Sequence, residues 1–269
     1  LTASQWQGLT GQEVAALTST QIRGLAPAAL AELSTTQIGL LSVLQLSALS
    51  TTGITGLTST QIGALSPVQL RTLSTTQIAG LGLDQVSALP TTVLSALSRT
   101  QLAGLTAAQV GAMTLTQIQG LDTSSISALS ATGIGGLTDA QVSALSVTQL
   151  SALTPTQMSA LNAEQLARLD TGEIAELTVT QIRGLSASQL ARFSPAQVGA
   201  LTEAQLAALS AAQVGGLDAL QLEALGASQI GLLNATQLGG LSTTALAGLS
   251  RGLVEGLSAN QLRALSATQ

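Results

Sequence analysis

The sequence has no His, no Cys, no Lys and no Tyr, and it has one Phe and one Trp. These absences remove the commonest general base, the soft metal ligands, the thiol nucleophile and the Schiff-base amine. The composition therefore argues against an enzyme, and no catalytic residue, cofactor or metal is expected. With two exceptions, the apolar interior must be built without aromatic rings. Cations are scarce too, with eight Arg against thirteen acidic residues and a net charge of −5. A nucleic-acid surface needs clustered cations, so that partner is not expected. Long apolar runs are also missing, because Ser, Thr or Gln interrupts every few residues. No stretch reaches the roughly 20 apolar residues of a membrane helix, so no transmembrane segment is expected.

What remains is one octapeptide written repeatedly, as in Leu73-Ser74-Thr75-Thr76-Gln77-Ile78-Ala79-Gly80. Stepping by eight from Leu1 to Leu265 gives 34 positions, of which 32 are Leu and the others Met113 and Phe193. Position six, from Trp6 to Leu262, is Ile, Leu, Val, Met or Trp in all 33 cases. Nothing breaks the phase. This marks a single continuous repeat array over residues 1–269, about 33 repeats long, and we read it as a segment of a longer protein.

Position two is Ser, Thr, Asp or Asn in 30 of 34 octads, and position five is Gln in 25 and Glu in two. That pattern is a helix capping box: the hydroxyl accepts from the amide three residues on, and Gln reaches back to the cap amide. Pro27, Pro67, Pro155 and Pro195 all follow a cap position, at the first helical residue, where a missing N–H costs nothing. Each octad should therefore start its own helix, of about one and a half turns. The structural caps include Ser34, Gln37, Thr58, Gln61, Ser74, Gln77, Thr178 and Gln181. The core includes Leu57, Ile62, Leu73, Ile78, Leu177 and Ile182.

One continuous helix fails, because an eight-residue period drifts by about 80° per repeat around the axis. A β-solenoid is the alternative, favoured by the Ser, Thr, Val and Ile content but opposed by the caps and the proline positions. The expected fold is an all-α solenoid with one very short helix per octad. Gly and Ala tend to alternate at position eight, and Arg23, Arg71, Arg183 and Arg263 at position seven all fall in alternate octads. Both trends predict a 16-residue coil of two helices, with a coil of three octads left open.

Arg168, Asp170, Glu173 and Glu176 form the densest charge cluster, in which Arg168 and Glu176 could pair across a coil. Asp170 and Glu173 already have cap roles, so a calcium site is not the expected reading. Trp6, Met113, Met158 and Phe193 substitute for repeat aliphatics and are read as core. Gly53, Val93, Gly133 and Leu253 replace the repeat Gln and are read as drift. Thr runs at Thr35-Thr36, Thr51-Thr52, Thr75-Thr76 and Thr91-Thr92 would form hydroxyl ladders.

Stretches such as Leu57-Thr58-Ser59-Thr60-Gln61-Ile62-Gly63-Ala64 resemble octapeptide tracts of large secreted bacterial surface proteins of the repeat-adhesin kind. That resemblance implies an extracellular or cell-surface location and a structural role. The leading expectation is a solenoid spacer or self-assembling filament segment, whose partner is itself, end to end or laterally, or a neighbouring domain of the same chain. The alternative is a binding module whose Thr, Ser and Gln ladders meet a periodic ligand: ice, a glycan or a partner protein.

Overall fold

The computed structural model describes residues 2–269, and among them it is all-helical with no strand. Each complete octad forms one short helix, such as Thr35–Gly39 and Ala107–Ala112. The one longer stretch, Ala219–Ile230, is two helices that meet at Gly226. Gly226 stands at a cap position with φ 70° and ψ 171°, a conformation that side-chain-bearing residues rarely adopt.

Helices this short do not persist alone, because nucleation is costly and few hydrogen bonds follow it. Packing holds them. The chain divides into two compact units, Leu1–Leu137 and Thr138–Gln269. In the first, Pro27–Ala31 packs on Thr51–Gly56, and Ala107–Ala112 packs on Ala131–Gly135. In the second, Pro155–Ala160 packs on Val179–Gly184, which packs on Glu203–Ala208. The partner is the third helix along, so each unit is an α-solenoid whose coil consists of three helices, one from each of three successive octads.

This corrects the 16-residue coil expected from the alternation at position eight. A coil of two antiparallel helices needs a chain reversal at each link, which often uses a left-handed residue. Here Gly226 is the only described residue with positive φ. A typical link runs from a right-handed cap, as at Gly80, to an extended Leu, and it turns a corner instead of a hairpin.

Position six and the repeat Leu point into the coil. Ile62, Ile78 and Ile182 are fully buried, and Leu57, Leu73 and Leu177 are nearly so. Met158, Met113, Phe193 and Trp6 are buried in the equivalent slots. Position eight lies against the backbone of position three one coil earlier. A Cβ on Gly136 would stand 2.2 Å from the Ala107 carbonyl oxygen, and one on Gly56 would stand 2.4 Å from the Pro27 Cα. At Gly56, Gly136, Gly184, Gly216 and Gly240 two backbones touch across one coil, whereas at Gly80 and Gly120 the nearest neighbour is a Thr side chain.

Candidate functional site

The most organised polar feature is a column of Gln side chains inside each unit. Ser34 Oγ accepts from the Gln37 amide at 3.2 Å, and Gln37 Oε1 accepts from the Ser34 amide at 2.7 Å. The pairs Thr58–Gln61, Ser74–Gln77 and Thr178–Gln181 make the same two bonds. Only half of the carboxamide is used in this way.

The other half joins the coils. Gln109 Nε2 donates to the carbonyls of Ile78 and Leu81, both at 2.8 Å, one coil below. Gln77 reaches Leu46 and Leu49 at 3.1 and 2.8 Å, and Gln181 reaches Leu150 and Leu153 at 2.7 and 2.8 Å. The bond 28 residues back recurs, and the second bond reaches 31 residues back in most octads and 30 at Gln69, Gln189 and Gln229. Each Gln therefore caps its own helix and binds carbonyls at the end of the helix that leads into the one beneath it, and in the link between those two, where carbonyls lack a full set of intrahelical partners. Most of these side chains are buried, Gln109 to 1 % exposure. A ligand therefore cannot use them as a ladder, which removes Gln from that alternative.

A capping box accepts Glu as readily as Gln, yet Gln outnumbers Glu 25 to two at position five. The excess is the sequence signal for this second role, because only an amide supplies a donor. Glu13 is exposed. The Thr10 amide donates to it and holds its carboxyl below the usual carboxylate range. Asp122, a cap without a Gln partner, is lowered in the same way, chiefly by the Ser125 amide.

Glu173 is different. Its Oε2 accepts from the Asp170 amide at 2.8 Å, and its own amide donates to Asp170 Oδ1 at 2.8 Å. In the common register it stands over the Val142 and Leu145 carbonyls with no donor to offer them. Glu173→Gln should therefore raise the stability of its unit by about 1–2 kcal/mol at neutral pH. A urea titration of the two chains checks this, and an unchanged or lowered midpoint would refute the bridging role.

The rest of the charge cluster separates. Arg168 pairs with Asp139, at 2.9 Å, and not with Glu176 as the sequence suggests. The pair joins position eight of one octad to position three of another, the same relation as between Gly136 and Ala107 across a three-octad coil. Both side chains are half exposed, so the pair contributes little. No group of metal-ligating residues occurs among the described residues.

The Thr runs are also redistributed. Thr35-Thr36 and Thr91-Thr92 lie on two different sides of the coil, and only Thr51-Thr52 and Thr75-Thr76 stack, one coil apart. Continuing on that side are Thr100 and Ser124, and Thr52, Thr76, Thr100 and Ser124 are all exposed. A two-octad coil would have stacked Thr35-Thr36 near Thr51-Thr52 and Thr75-Thr76 near Thr91-Thr92, which is why the sequence suggests common ladders.

Two concave features are open notches where an octad departs from its pattern. One of about 640 Å³ surrounds Gly82, which has no cap side chain. Another of about 450 Å³ lies at Ala245, which replaces the repeat Gln. At the carboxyl-terminal coil the interior itself is open, with Val254 43 % and Leu262 47 % exposed at position six. No helix among the described residues is long and apolar enough to cross a membrane.

Compared with known proteins, the chain has no match among the curated sequences. Two of its stretches, residues 54–91 and 166–203, one in each unit, match the family model of the ALTTAQ repeat.

Proposed function

We propose that the chain is a structural repeat, acting as a solenoid spacer or self-assembling filament segment of a bacterial secreted or surface protein. The observation that supports this most directly is the Gln column, which commits the repeat's only recurrent interior polar group to joining one coil to the next. The reading includes no catalysis. The bacterial surface setting comes from the resemblance of the octad to adhesin-type tracts.

Self-association draws on the same repetition: every coil offers the next the same carbonyls, so a second copy can continue the stack as a further coil of the same chain would. Sedimentation and negative-stain electron microscopy of residues 1–269 over a concentration series test this. Particles that lengthen with concentration, and stop lengthening in Leu262→Asp, are the expected result. Particles of one length at every concentration would rule out assembly by this chain and leave the spacer reading.

The stacked hydroxyls of Thr52, Thr76, Thr100 and Ser124 favour the second reading, a module for a periodic ligand. Changing these four to Leu should abolish binding to such a ligand and leave assembly intact.

A further inference from the structure

The Gln column is interrupted at Ala245, and what the missing side chain leaves behind is specific. One octad earlier, Gln237 Oε1 accepts from the Asn234 amide at 2.9 Å, while its Nε2 donates to the Leu206 and Leu209 carbonyls, both at 2.8 Å. At Ala245 the Ser242 hydroxyl still accepts from the Ala245 amide, at 3.0 Å. The Ser242 N–H, however, has lost the acceptor that a Gln would supply, and the capping box is absent. The Leu217 carbonyl, one coil below, has lost the corresponding donor.

Both residues line the same open notch of about 450 Å³, together with Gly215, Gly216, Ala219 and Ala245. This volume is within the range of small-ligand clefts, roughly 300–1,000 Å³. Its wall presents one unused N–H and one unused carbonyl, at the sequence positions whose counterparts in the preceding octad a single carboxamide satisfies. Asp218, Leu220 and Thr244 line the notch too, and the Asp218 carboxylate is engaged by the Gln221 amide of its own helix.

Of the six other interruptions, Gly53, Gly133, Val93 and Leu253 leave no such space. A Cβ on Gly53 would already touch Leu30 and Leu49, at 3.3 and 3.5 Å, and one on Gly133 would touch Val110 at 3.3 Å. Val93 and Leu253 bury their own aliphatic side chains at this position.

We propose that the notch at Ala245 is a binding site for a primary carboxamide delivered by a second polypeptide, a glutamine side chain that enters from outside and takes the vacant place in the column. Its oxygen accepts from the Ser242 N–H and its nitrogen donates to the Leu217 carbonyl. A carboxylate of the same length is rejected, because it would set an oxygen against that carbonyl with no donor between them. The free-energy difference lies in the unmade bond, as it does where a site built for a donor rejects its isostere.

The test is an amide-resolved NMR titration of the whole chain with N-acetylglutamine N-methylamide, which carries one primary carboxamide. N-acetylglutamate N-methylamide at neutral pH is the control. Saturable shifts of the Ser242 and Ala245 amides are expected with the glutamine probe. The glutamate probe should bind at least about tenfold more weakly, equivalent to about 1.4 kcal/mol. Ala245→Gln, which fills the place from within, and Ala245→Met, which fills it without an amide, should both abolish the response. No shift up to the probe's solubility would overturn the proposal. So would equal responses to the two probes, or a response that survives both substitutions.

Discussion

Gln109→Glu should destabilise the Leu1–Leu137 unit by about 3–5 kcal/mol at neutral pH, one of the two largest losses expected from a single change here. The substitution keeps size, helix preference and the capping acceptor, and Glu13 and Glu173 make the same cap bonds elsewhere. What changes is the far end of the side chain. Gln109 Nε2 lies between the Ile78 and Leu81 carbonyls in a site 1 % exposed. A carboxylate there faces two carbonyl oxygens, out of reach of water.

The acid can relieve the conflict by protonation, since a neutral carboxyl donates to Leu81 as the amide does. Burial and the carbonyl dipoles raise its folded-state pKa above the unfolded value near 4.3. The loss is then smallest below that unfolded value and grows as pH rises through the folded one. Urea titrations of both chains at about pH 4 and pH 7 measure it. If the deficit is below about 1 kcal/mol at neutral pH, or does not shrink in acid, the donor at this position does not bridge the coils.

Gly136→Ala should cost about 2–4 kcal/mol, although it adds one methyl group and improves helix propensity. The added Cβ would stand 2.2, 2.5 and 2.6 Å from the O, Cα and C atoms of Ala107. A flexible side chain can swing away from such an overlap, but backbone cannot, so the two helices must separate and the core beneath them loosens. Gly39→Ala is the matched control, because nothing lies within 4 Å of its Cβ site. There the gain should be up to about 1 kcal/mol from propensity alone. Amide hydrogen exchange around Ala107 and Gly136, with the urea midpoints of both variants, separates them. Equal and small effects at the two sites would mean that the close approach does not constrain the coil.

The division between what the sequence reveals and what it conceals has a physical origin. Caps and proline positions are local, with cap and partner in the same octad, so the period displays them directly. The core is legible for a similar reason, because Leu and its position-six partner repeat without a slip. The coil is different. Its bonds join positions more than three octads apart, and the residue that makes the contact, Gln, already has a complete local explanation as the partner of the cap. Gly at position eight is visible but misleading, because its need is set by the contact one coil earlier and not by the neighbouring octad. A coil read too short also puts the Thr runs on common sides and pairs Arg168 with Glu176. The preference for Gln over Glu is the available clue, since a cap alone would not discriminate so strongly.

The direction of the Gln bonds also has a consequence for how such a chain is made. Each of these bridging amides donates toward residues of lower number, one coil back, to carbonyls that already exist when the Gln is added. A chain that emerges from its amino end can therefore settle coil by coil on what has already formed, without waiting for any residue still to come. Growth in that manner needs only short-range loop closure, keeps the exposed apolar surface to about one coil at a time, and lets length increase without a matching delay in folding.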